Sequence, residues 1–463
     1  MEPLTLQEVA QSCAGRLLRG APERCVRRVT TDSRTARAGD LFVALRGERF
    51  DGHQFIGVAA SCGAAGILAE AARLPDPLPD HPIVAVSDSR RALGELAAQY
   101  RQKFTLPLVA VTGSNGKTTT KELLAAVLGQ RLATLASEAS FNNDIGVPLT
   151  LLKLERTHAA AVLEAGTNHP GELAPLLRMI QPRFGVLTSL GREHLEHFGD
   201  FAGVVAEEGA LAEALPPDGK LFVNADSPQI EAVVARSRAA VVRVGWGTGC
   251  AWRAEACRVE PAGTTFRVAA ARAGFSGEYR LQLLGRHQVA NALLALAVGA
   301  EFGLSRTELQ RGLAGCAPAP LRLEWQNVRG IGVLADCYNA NADSTLAALA
   351  VLRDLPCAGR RIAVLGDMGE LGRHSQAAHE EIGAQAAAHG VSELLAVGTM
   401  APVLAGAARR AGLAATEFAD AVAAASALAR QARAGDLILV KASRSARLER
   451  VMDYLNAGDT NAG

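Results

Sequence analysis

A glycine-rich stretch in the first third of the chain has the residue types of a phosphate-binding loop. Residues 112–119 read Thr-Gly-Ser-Asn-Gly-Lys-Thr-Thr, between a strand-like run at 108–111 and a pattern that predicts a helix from Lys121 onward. In the order strand, loop, helix, backbone N–H groups and the helix N-terminus can converge on phosphate oxygens. The Lys117 ammonium would then neutralise the terminal phosphates, and the Thr118 hydroxyl would bind Mg²⁺.

The loop departs from the strict nucleotide-binding pattern at Val111, where that pattern has glycine. A glycine-rich turn that binds nothing is the alternative interpretation. It is a poor competitor, because a Gly-Lys-Thr-Thr ending with a strand before it and a helix after it rarely arises by chance. We therefore predict an ATP site formed by Gly113, Ser114, Asn115, Gly116, Lys117, Thr118 and Thr119.

The elements that must position this loop predict an α/β protein with a mostly parallel central sheet. Strand-like runs at 159–163, 184–188 and 220–223 alternate with helical patterns, as in parallel sheets covered by helices. A β-rich stretch at 240–284 then precedes a helix at 291–301.

The length of 463 residues predicts about three domains. We place a small α/β domain at 1–105, the nucleotide-binding domain at 106–316 and a Rossmann-like α/β domain at 317–463, with a proline-containing linker at 316–320. Further strands are predicted at 41–45, 83–86, 331–335, 361–365, 394–397 and 437–440. Residues 457–463 are expected to be frayed.

Composition excludes several functional classes. Lys and Arg number 48 against 47 Asp and Glu, so no general attraction to nucleic acid or to an anionic membrane is expected. The eight cysteines are scattered without zinc-ligand spacing, which indicates reduced thiols. The N-terminal residues have no signal-peptide character, and no run of 18 apolar residues occurs. We expect a cytoplasmic protein without membrane insertion, and we expect a monomer.

The loop and the stretches at 141–148 and 163–172 together resemble the Mur ligases, a family that also includes folylpolyglutamate synthetase and cyanophycin synthetase. The resemblance implies ATP-dependent amide-bond formation, with Glu164 and His194 as ligands of a second magnesium ion. Taken singly, Glu164 would more often be a solvated loop acid, and His194 a structural or solvated histidine.

One departure from the family concerns Glu208. Counted forward from His194, this residue occupies the position at which the family usually has a carbamylated lysine. A glutamate already supplies the carboxylate that carbamylation creates, so Glu208 is a candidate metal ligand and Glu207 a weaker one. A solvated helix face remains an equally strong alternative.

The resemblance also implies ligand sites outside the loop. Asn291 would contact adenine, with His287 nearby, and Arg322, Asp336 and Asn339 would contact ATP. The segments 31–34, 39–47 and 50–53 resemble the family's uridine-diphosphate-binding domain. The implied substrate-binding residues are Ser33, Arg34, Gly47, Asn142, Asn143, Thr167, Asn168, Tyr338, Asn341 and Ser344.

The C-terminal third indicates which reaction is expected. Residues 336–344, 365–372 and 440–445 resemble signatures of the family members that add D-alanyl-D-alanine, although Ala342 replaces a proline. The implied reaction joins this dipeptide to UDP-N-acetylmuramoyl-tripeptide through an acyl phosphate, with Lys117, His194, Glu208 and Asp336 as catalytic residues. Another amino-acid ligase and a nucleotide-driven switch remain the alternatives. The third residue of the tripeptide and the base for the incoming amine stay open.

Overall fold

The computed structural model describes residues 1–48 and 50–457. In this part of the chain, three large sheets follow one another, each with its own helices, which confirms the predicted α/β class. The domain boundaries after 105 and 316 stay predictions. Ala457 ends the last helix, and residues 458–463 of the expected frayed end and of the third domain lie outside the described residues.

The N-terminal sheet has the order β2-β7-β6-β5-β4, in which β2 is antiparallel to β7 and the other pairs are parallel. A short antiparallel pair, β1 and β3, lies apart from it. The elements are β1 (Leu4–Thr5), α1 (Leu6–Ser12), β2 (Arg16–Arg19), β3 (Cys25–Val26), β4 (Arg28–Thr30), β5 (Asp40–Val43), α2 (Ile56–Ser61), β6 (Gly66–Glu70), β7 (Ile83–Val86) and α3 (Ser89–Arg101).

Helix α3 joins this unit to the next one. Its N-terminus is capped by Asp88, whose carboxylate accepts from two backbone N–H groups of the first turn. At its other end the Tyr100 hydroxyl donates to the Leu154 carbonyl oxygen (2.7 Å), and the Arg101 guanidinium donates to that of Ile180 (3.1 Å). One continuous apolar core runs from the N-terminal unit into the central unit. The two units therefore share a packed interface.

The central sheet has the order β16-β15-β14-β13-β12-β11-β8-β10-β9 and is parallel from β9 to β14. Strands β14 to β16 pair antiparallel at one edge, where the β-rich stretch was predicted. The strands are β8 (Leu108–Thr112), β9 (Thr134–Ala136), β10 (Ala160–Glu164), β11 (Phe184–Leu187), β12 (Lys220–Asn224), β13 (Ala240–Gly245), β14 (Trp252–Glu260), β15 (Gly263–Ala270) and β16 (Gly277–Leu281).

Helices cover both faces of this sheet. The most buried of these helices is α11 (Arg286–Glu301), whose Ala- and Leu-rich sequence lies almost entirely inside the core. They are α4 (Lys117–Leu128), α5 (Gly146–Leu151), α6 (Leu173–Ile180), α7 (Leu195–Phe198), α8 (Phe201–Glu208), α9 (Ala210–Ala214), α10 (Ile230–Val234), α11 (Arg286–Glu301) and α12 (Arg306–Gly315).

The C-terminal sheet has the order β17-β18-β22-β19-β20-β21, with only β17 antiparallel to its neighbour within the described residues. The elements are β17 (Glu324–Val328), β18 (Ile331–Asp336), α13 (Ala342–Asp354), β19 (Arg361–Gly366), α14 (Ser375–Ala388), β20 (Glu393–Val397), α15 (Ala401–Arg410), β21 (Ala414–Phe418), α16 (Ala421–Gln431), β22 (Leu437–Lys441) and α17 (Arg450–Ala457). None of the helices in residues 1–48 and 50–457 has the length and apolar character to cross a bilayer.

Candidate active site

The glycine-rich loop joins the end of β8 to the first turn of α4. Gly113 and Gly116 have φ angles of 117° and 87°, in the left-handed region that favours glycine. A Cβ atom on Gly113 would lie 2.4 Å from Thr188 Oγ1, and one on Gly116 would lie 2.7 Å from Asn291 Oδ1. Both positions therefore need glycine for backbone conformation and for space. Helix α4 begins at Lys117, one turn before the predicted start at Lys121, because Gly116 occupies its N-cap.

Lys117 is folded back over the loop. Its Nζ donates to the Gly113 carbonyl oxygen at 2.6 Å and to Glu193 Oε1 at 3.3 Å. Burial alone would lower the pKa of Lys117, but the carboxylates of Glu193, Glu208 and Glu164 raise it. The lysine is thus held as a cation where phosphate oxygens would meet the loop.

Three buried carboxylates surround this cation. Glu164 ends β10, Glu208 ends α8, and Glu193 lies in the segment before α7. Burial raises the pKa of Glu193 to about 8 and that of Glu208 to about 7, although the charge of Lys117 lowers both. Like-charge repulsion between these two carboxylates contributes to the upward shift at Glu193. A bound cation would favour the ionised form of both carboxyl groups.

Two atoms of this group have an unmet bonding capacity. Glu164 Oε1 accepts from the Asn142 amide at 2.8 Å, whereas Glu164 Oε2 and Glu208 Oε2 are buried without a hydrogen-bond partner. Such orphaned carboxylate oxygens are the hard ligands that Mg²⁺ prefers. Among the described residues, no three His, Cys, Asp or Glu side chains converge as a complete metal cage. The donor set therefore fits a magnesium ion that also takes ligands from nucleotide phosphates and water.

His194 lies beside these carboxylates, with its backbone in the left-handed region (φ 49°) just before α7. Its Nδ1 is 2.5 Å from Glu370 Oε2 of the C-terminal unit, and its Nε2 is 3.8 Å from Glu193 Oε2. Burial lowers the pKa of His194, and Glu370 opposes that shift. One ring nitrogen therefore contacts the C-terminal unit and the other faces the Lys117 group.

The C-terminal unit contributes the ends of two adjacent parallel strands. Asp336 ends β18 and Lys441 ends β22, and their side chains form a buried ion pair at 2.6 Å. Lys441 Nζ also donates to the Asn339 carbonyl oxygen at 3.0 Å. Ligands commonly bind at the carboxyl edge of such sheets.

Arg322 and Tyr338 extend this edge towards the glycine-rich loop. The Arg322 guanidinium lies 4.0 Å from the centre of the Tyr338 ring and donates to Thr118 Oγ1 at 3.2 Å. Tyr338 in turn donates to Ser140 Oγ at 2.8 Å. The hydroxyl predicted to bind Mg²⁺ is therefore already a hydrogen-bond acceptor for a C-terminal cation.

A single cavity of about 500 Å³ joins the loop to the C-terminal strand ends. Most of the predicted site residues line it: Ser114, Asn115, Gly116, Lys117, Thr118, Thr119, Asn142, Glu164, Thr167, Asn168, His194, Asn291, Arg322, Asp336, Tyr338, Asn339, Asn341 and Ser344. This volume is within the range of ordinary ligand pockets.

Three family models match the chain in succession: the Mur ligase family catalytic domain at 26–101, the Mur ligase middle domain at 111–299 and the Mur ligase glutamate ligase domain at 321–444. The UDP-N-acetylmuramoyl-tripeptide--D-alanyl-D-alanine ligase of Escherichia coli is 37% identical over 93% of this chain and 94% of its own, and that of Bacillus subtilis is 32% identical over 97% and 98%.

This chain belongs to the Mur ligase family.

Solved structures agree with that assignment. MurF from Acinetobacter baumannii matches this Mur ligase with a TM-score of 0.90 at 30% identity, covering 99% of both chains. MurF from Thermotoga maritima, solved in complex with ADP, matches with a TM-score of 0.82 at 27% identity over 93% of this chain and 97% of the other.

Several predicted residues of this Mur ligase lie elsewhere. Ser33, Arg34 and Gly47 are in the N-terminal unit and do not line the cavity; Arg34 pairs with Asp32 at 2.7 Å. Asn143 accepts from the backbone N–H groups that open α5. The loop glycine Gly113 and the buried Glu208 do not line the cavity either.

Glu207, the weaker candidate ligand, has structural partners. Its carboxylate accepts from the Gly171 and Leu173 backbone N–H groups, both at 2.8 Å, and from the Thr167 hydroxyl at 3.2 Å. This side chain holds the loop before α6. The side chain of the neighbouring Glu208 points in the opposite direction, towards Lys117. Glu207 therefore stabilises a loop, whereas Glu208 belongs to the charged group around Lys117.

Sequence reasoning assigned no role to Glu193, Glu370 or Lys441 of this Mur ligase. Glu193 directly precedes His194, and the other two lie inside motifs that were recognised without a residue-level function. A buried acid next to a predicted metal ligand was the available signal for Glu193. The pairing of His194 with Glu370 depends on tertiary structure, because 176 positions separate them.

Proposed function

We propose that this Mur ligase joins D-alanyl-D-alanine to UDP-N-acetylmuramoyl-tripeptide, with ATP activating the tripeptide carboxylate as an acyl phosphate. The observation that carries the proposal is near full-length identity of 37% and 32% to two ligases named for this reaction. The cavity between the glycine-rich loop and the C-terminal strand ends supports the proposal, because ATP, the tripeptide carboxylate and the dipeptide amine would have to meet there.

The loop would bind and orient the nucleotide. Backbone N–H groups at the N-terminus of α4 would face the phosphates, and the Lys117 ammonium would place positive charge beside the transferring phosphoryl group. For Lys117 to reach a phosphate, Nζ has to leave the Gly113 carbonyl oxygen, its present 2.6 Å partner. Asn291, in contact range of Gly116, would lie on the adenine side.

Thr118 would bind one magnesium ion, and Glu164, His194 and Glu208 would hold a second. These ions, when bound, would supply positive charge that stabilises the oxygens of the transferring phosphoryl group. The two orphaned carboxylate oxygens of Glu164 and Glu208 support this part of the proposal. Glu208 would provide, without modification, the carboxylate that the family usually obtains by lysine carbamylation.

The C-terminal unit would bind the incoming dipeptide and complete the site. Asp336 and Asn339, fixed by Lys441, would orient ATP, and Tyr338, Asn341 and Ser344 would contact the dipeptide. With this unit docked, the tripeptide carboxylate would attack the γ-phosphate out of reach of bulk water, which limits wasteful hydrolysis. The dipeptide amine would then displace phosphate from the acyl phosphate.

The test is phosphate release from ATP and Mg²⁺ with UDP-N-acetylmuramoyl-tripeptide, with and without D-alanyl-D-alanine, together with product mass. Release that needs both substrates and yields a pentapeptide is expected. Tripeptides ending in lysine and in diaminopimelate should be compared, since the sequence does not indicate which of them is the third residue of the substrate. Release indifferent to both substrates would refute the proposal.

We place the reaction in the cytoplasm, the compartment that supplies ATP, and we propose a monomer. Size-exclusion chromatography with light scattering should give one species near 48.3 kDa. A species of twice that mass would contradict the monomer.

A further inference from the structure

The contact between His194 and Glu370 links the nucleotide cavity of the central unit to the C-terminal unit. His194 belongs to the central unit and lines the nucleotide cavity. Glu370 follows β19 of the C-terminal unit, and its side chain is about half exposed. The 2.5 Å separation between Nδ1 and Oε2 is among the shortest hydrogen bonds between the two units.

This bond fixes which nitrogen carries the proton. An ionised carboxylate can only accept, so the Nδ1–H of His194 must be the donor to Glu370. In the neutral ring, Nε2 then keeps its lone pair. That lone pair points to the Lys117 side, where Nε2 lies 3.8 Å from Glu193 Oε2, beyond hydrogen-bond distance.

Glu370 is held firmly in place to make this contact. Its own backbone carbonyl oxygen accepts from the Glu196 N–H at 3.1 Å, directly beside His194. Further along the same loop, the Arg373 guanidinium and the His374 ring both reach the Gly199 carbonyl oxygen, at 3.2 and 2.9 Å. These contacts fasten the loop after β19 around both ends of α7.

We propose that Glu370 is a positioning residue that couples docking of the C-terminal unit to the metal site, by holding His194 with Nε2 directed at the ion. The inference rests on the proposed role of His194 as a magnesium ligand. A carboxylate that orients the far side of a ligating imidazole is a recurrent arrangement in metal sites, and its loss typically weakens metal binding 10- to 100-fold. Here the orienting carboxylate arrives from another unit, so the site is complete only when the units are docked.

The first experiment measures Mn²⁺ binding by electron paramagnetic resonance in the presence of a non-hydrolysable ATP analogue. Glu370→Ala should raise the Mn²⁺ Kd about tenfold. Glu370→Gln should lose less, because an amide oxygen can still accept from Nδ1–H. Glu380→Gln is the matched control: it removes a carboxylate of α14 in the same unit that accepts from Gln376, and it should leave the Kd unchanged.

A double-mutant cycle decides whether Glu370 acts through His194. If it does, Glu370→Ala should add nothing in a His194→Ala background, whereas independent effects would multiply and overturn the inference. An unchanged Kd in Glu370→Ala would also overturn it. If His194→Ala itself left Mn²⁺ binding intact, the proposed metal role of His194 would fail, and the inference with it. Pentapeptide synthesis by the unaltered protein tests the proposed reaction separately.

The tautomer gives a readout that a merely structural role would not move. In protein labelled with ¹⁵N-histidine, the His194 signals can be assigned by their loss in His194→Ala, since the chain has only 10 histidines. The unaltered protein should show Nδ1 protonated and Nε2 bare before metal is added. In Glu370→Ala the two tautomers should mix, and an unchanged spectrum would refute the positioning role.

Discussion

The buried charged groups around Lys117 include more acids than bases. One buried ammonium faces three buried carboxylates, and two carboxylate oxygens have no partner. Burying an unpaired charge is costly, so a fold retains such a group only where something else compensates it. A nucleotide with its divalent cation would bring both the anion for Lys117 and the cation for the carboxylates.

The hypothesis that Glu208 binds magnesium in place of a carbamylated lysine can be tested with one substitution. Glu208→Gln keeps the shape but removes the charge, so we expect turnover to fall at least tenfold, while added bicarbonate has no effect on the unaltered protein. Steady-state phosphate release under CO₂-depleted and bicarbonate-supplemented conditions measures both. Glu213→Gln is the control, because that exposed carboxylate of α9 pairs with Arg236 and does not line the cavity. Unchanged turnover in Glu208→Gln would return Glu208 to the helix-face interpretation.

His287 predicts a pH effect on stability. Burial lowers its pKa to about 4, with Asp336 opposing and Lys441 adding to the shift. Since the unfolded chain binds a proton near pH 6.5 and the folded chain does not, this residue should cost stability as the pH falls from 6.5 to 4. The side chain is partly accessible from the cavity, so we expect a cost of about 1 kcal/mol rather than the ~3 kcal/mol of full burial.

The measurement for His287 is urea unfolding of the unaltered protein and of His287→Asn at pH 7.5 and 5. The difference in free energy of unfolding between them should shift in favour of the variant at the lower pH. The control substitution is His158→Asn, which removes a half-buried histidine in the segment just before β10, outside the cavity. A constant difference for His287→Asn would contradict the predicted burial.

At the scale of elements, apolar runs in the sequence predicted the positions of several buried strands. The strand expected at 83–86 is β7 with the same bounds, and those expected at 331–335 and 437–440 end one residue later than predicted. Apolar runs between polar turns define such strands locally. Helix starts were less accurate: α11 begins at Arg286 rather than 291, because its polar first turn has no apolar pattern of its own.

The cavity was only partly predictable, for a physical reason. Motif order brought Lys117, Glu164 and His194 to one sheet edge, since the carboxyl ends of parallel strands meet there. The partners of these residues come from distant segments, such as Glu370 and Arg322, and their pairing depends on how two separate sheets dock. No local pattern encodes that orientation.

The N-cap of α13 illustrates how one element serves both stability and site. Asn341 accepts from the Ser344 N–H at 2.8 Å in a capping box and donates to Asn115 Oδ1 at 2.9 Å in the loop of the other unit. Asn341→Ala should cost about 1 kcal/mol of stability, as loss of a cap usually does, and should also reduce turnover. Thermal unfolding and phosphate release measure the two effects.

The matched control for Asn341 is Ser305→Ala, which removes the capping box of α12 away from the cavity. It should cost a similar ~1 kcal/mol while leaving turnover unchanged. Equal loss of turnover in both variants would mean that stability alone explains the effect of Asn341→Ala.

At the scale of the whole molecule, the contacts between the central and C-terminal units near the cavity are largely polar. Arg192 forms the centre of one such group, pairing with Asp343 at 2.7 Å and with Glu381 at 2.6 Å. Interfaces of this polar kind allow relative motion of domains by default. The N-terminal unit differs, because a continuous apolar core and α3 join it to the central unit. We therefore expect substrates to enter the cavity when the C-terminal unit moves away from the central unit.

Arg192→Ala tests this directly. Each pair is partly exposed and worth about 0.5 kcal/mol, so their joint loss of about 1 kcal/mol should shift the ratio of open to docked molecules about fivefold. Small-angle X-ray scattering should then give a larger radius of gyration than that of the unaltered protein, and a non-hydrolysable ATP analogue should reduce the difference by bridging the two units. High salt should expand the unaltered protein in the same way, since it screens such pairs.

The control is Arg183→Ala, which removes an arginine that pairs with Asp218 inside the central unit and should leave the radius of gyration unchanged. If Arg192→Ala behaved like Arg183→Ala, the polar contacts would not control docking, and the apolar surfaces beside them would have to hold the units together.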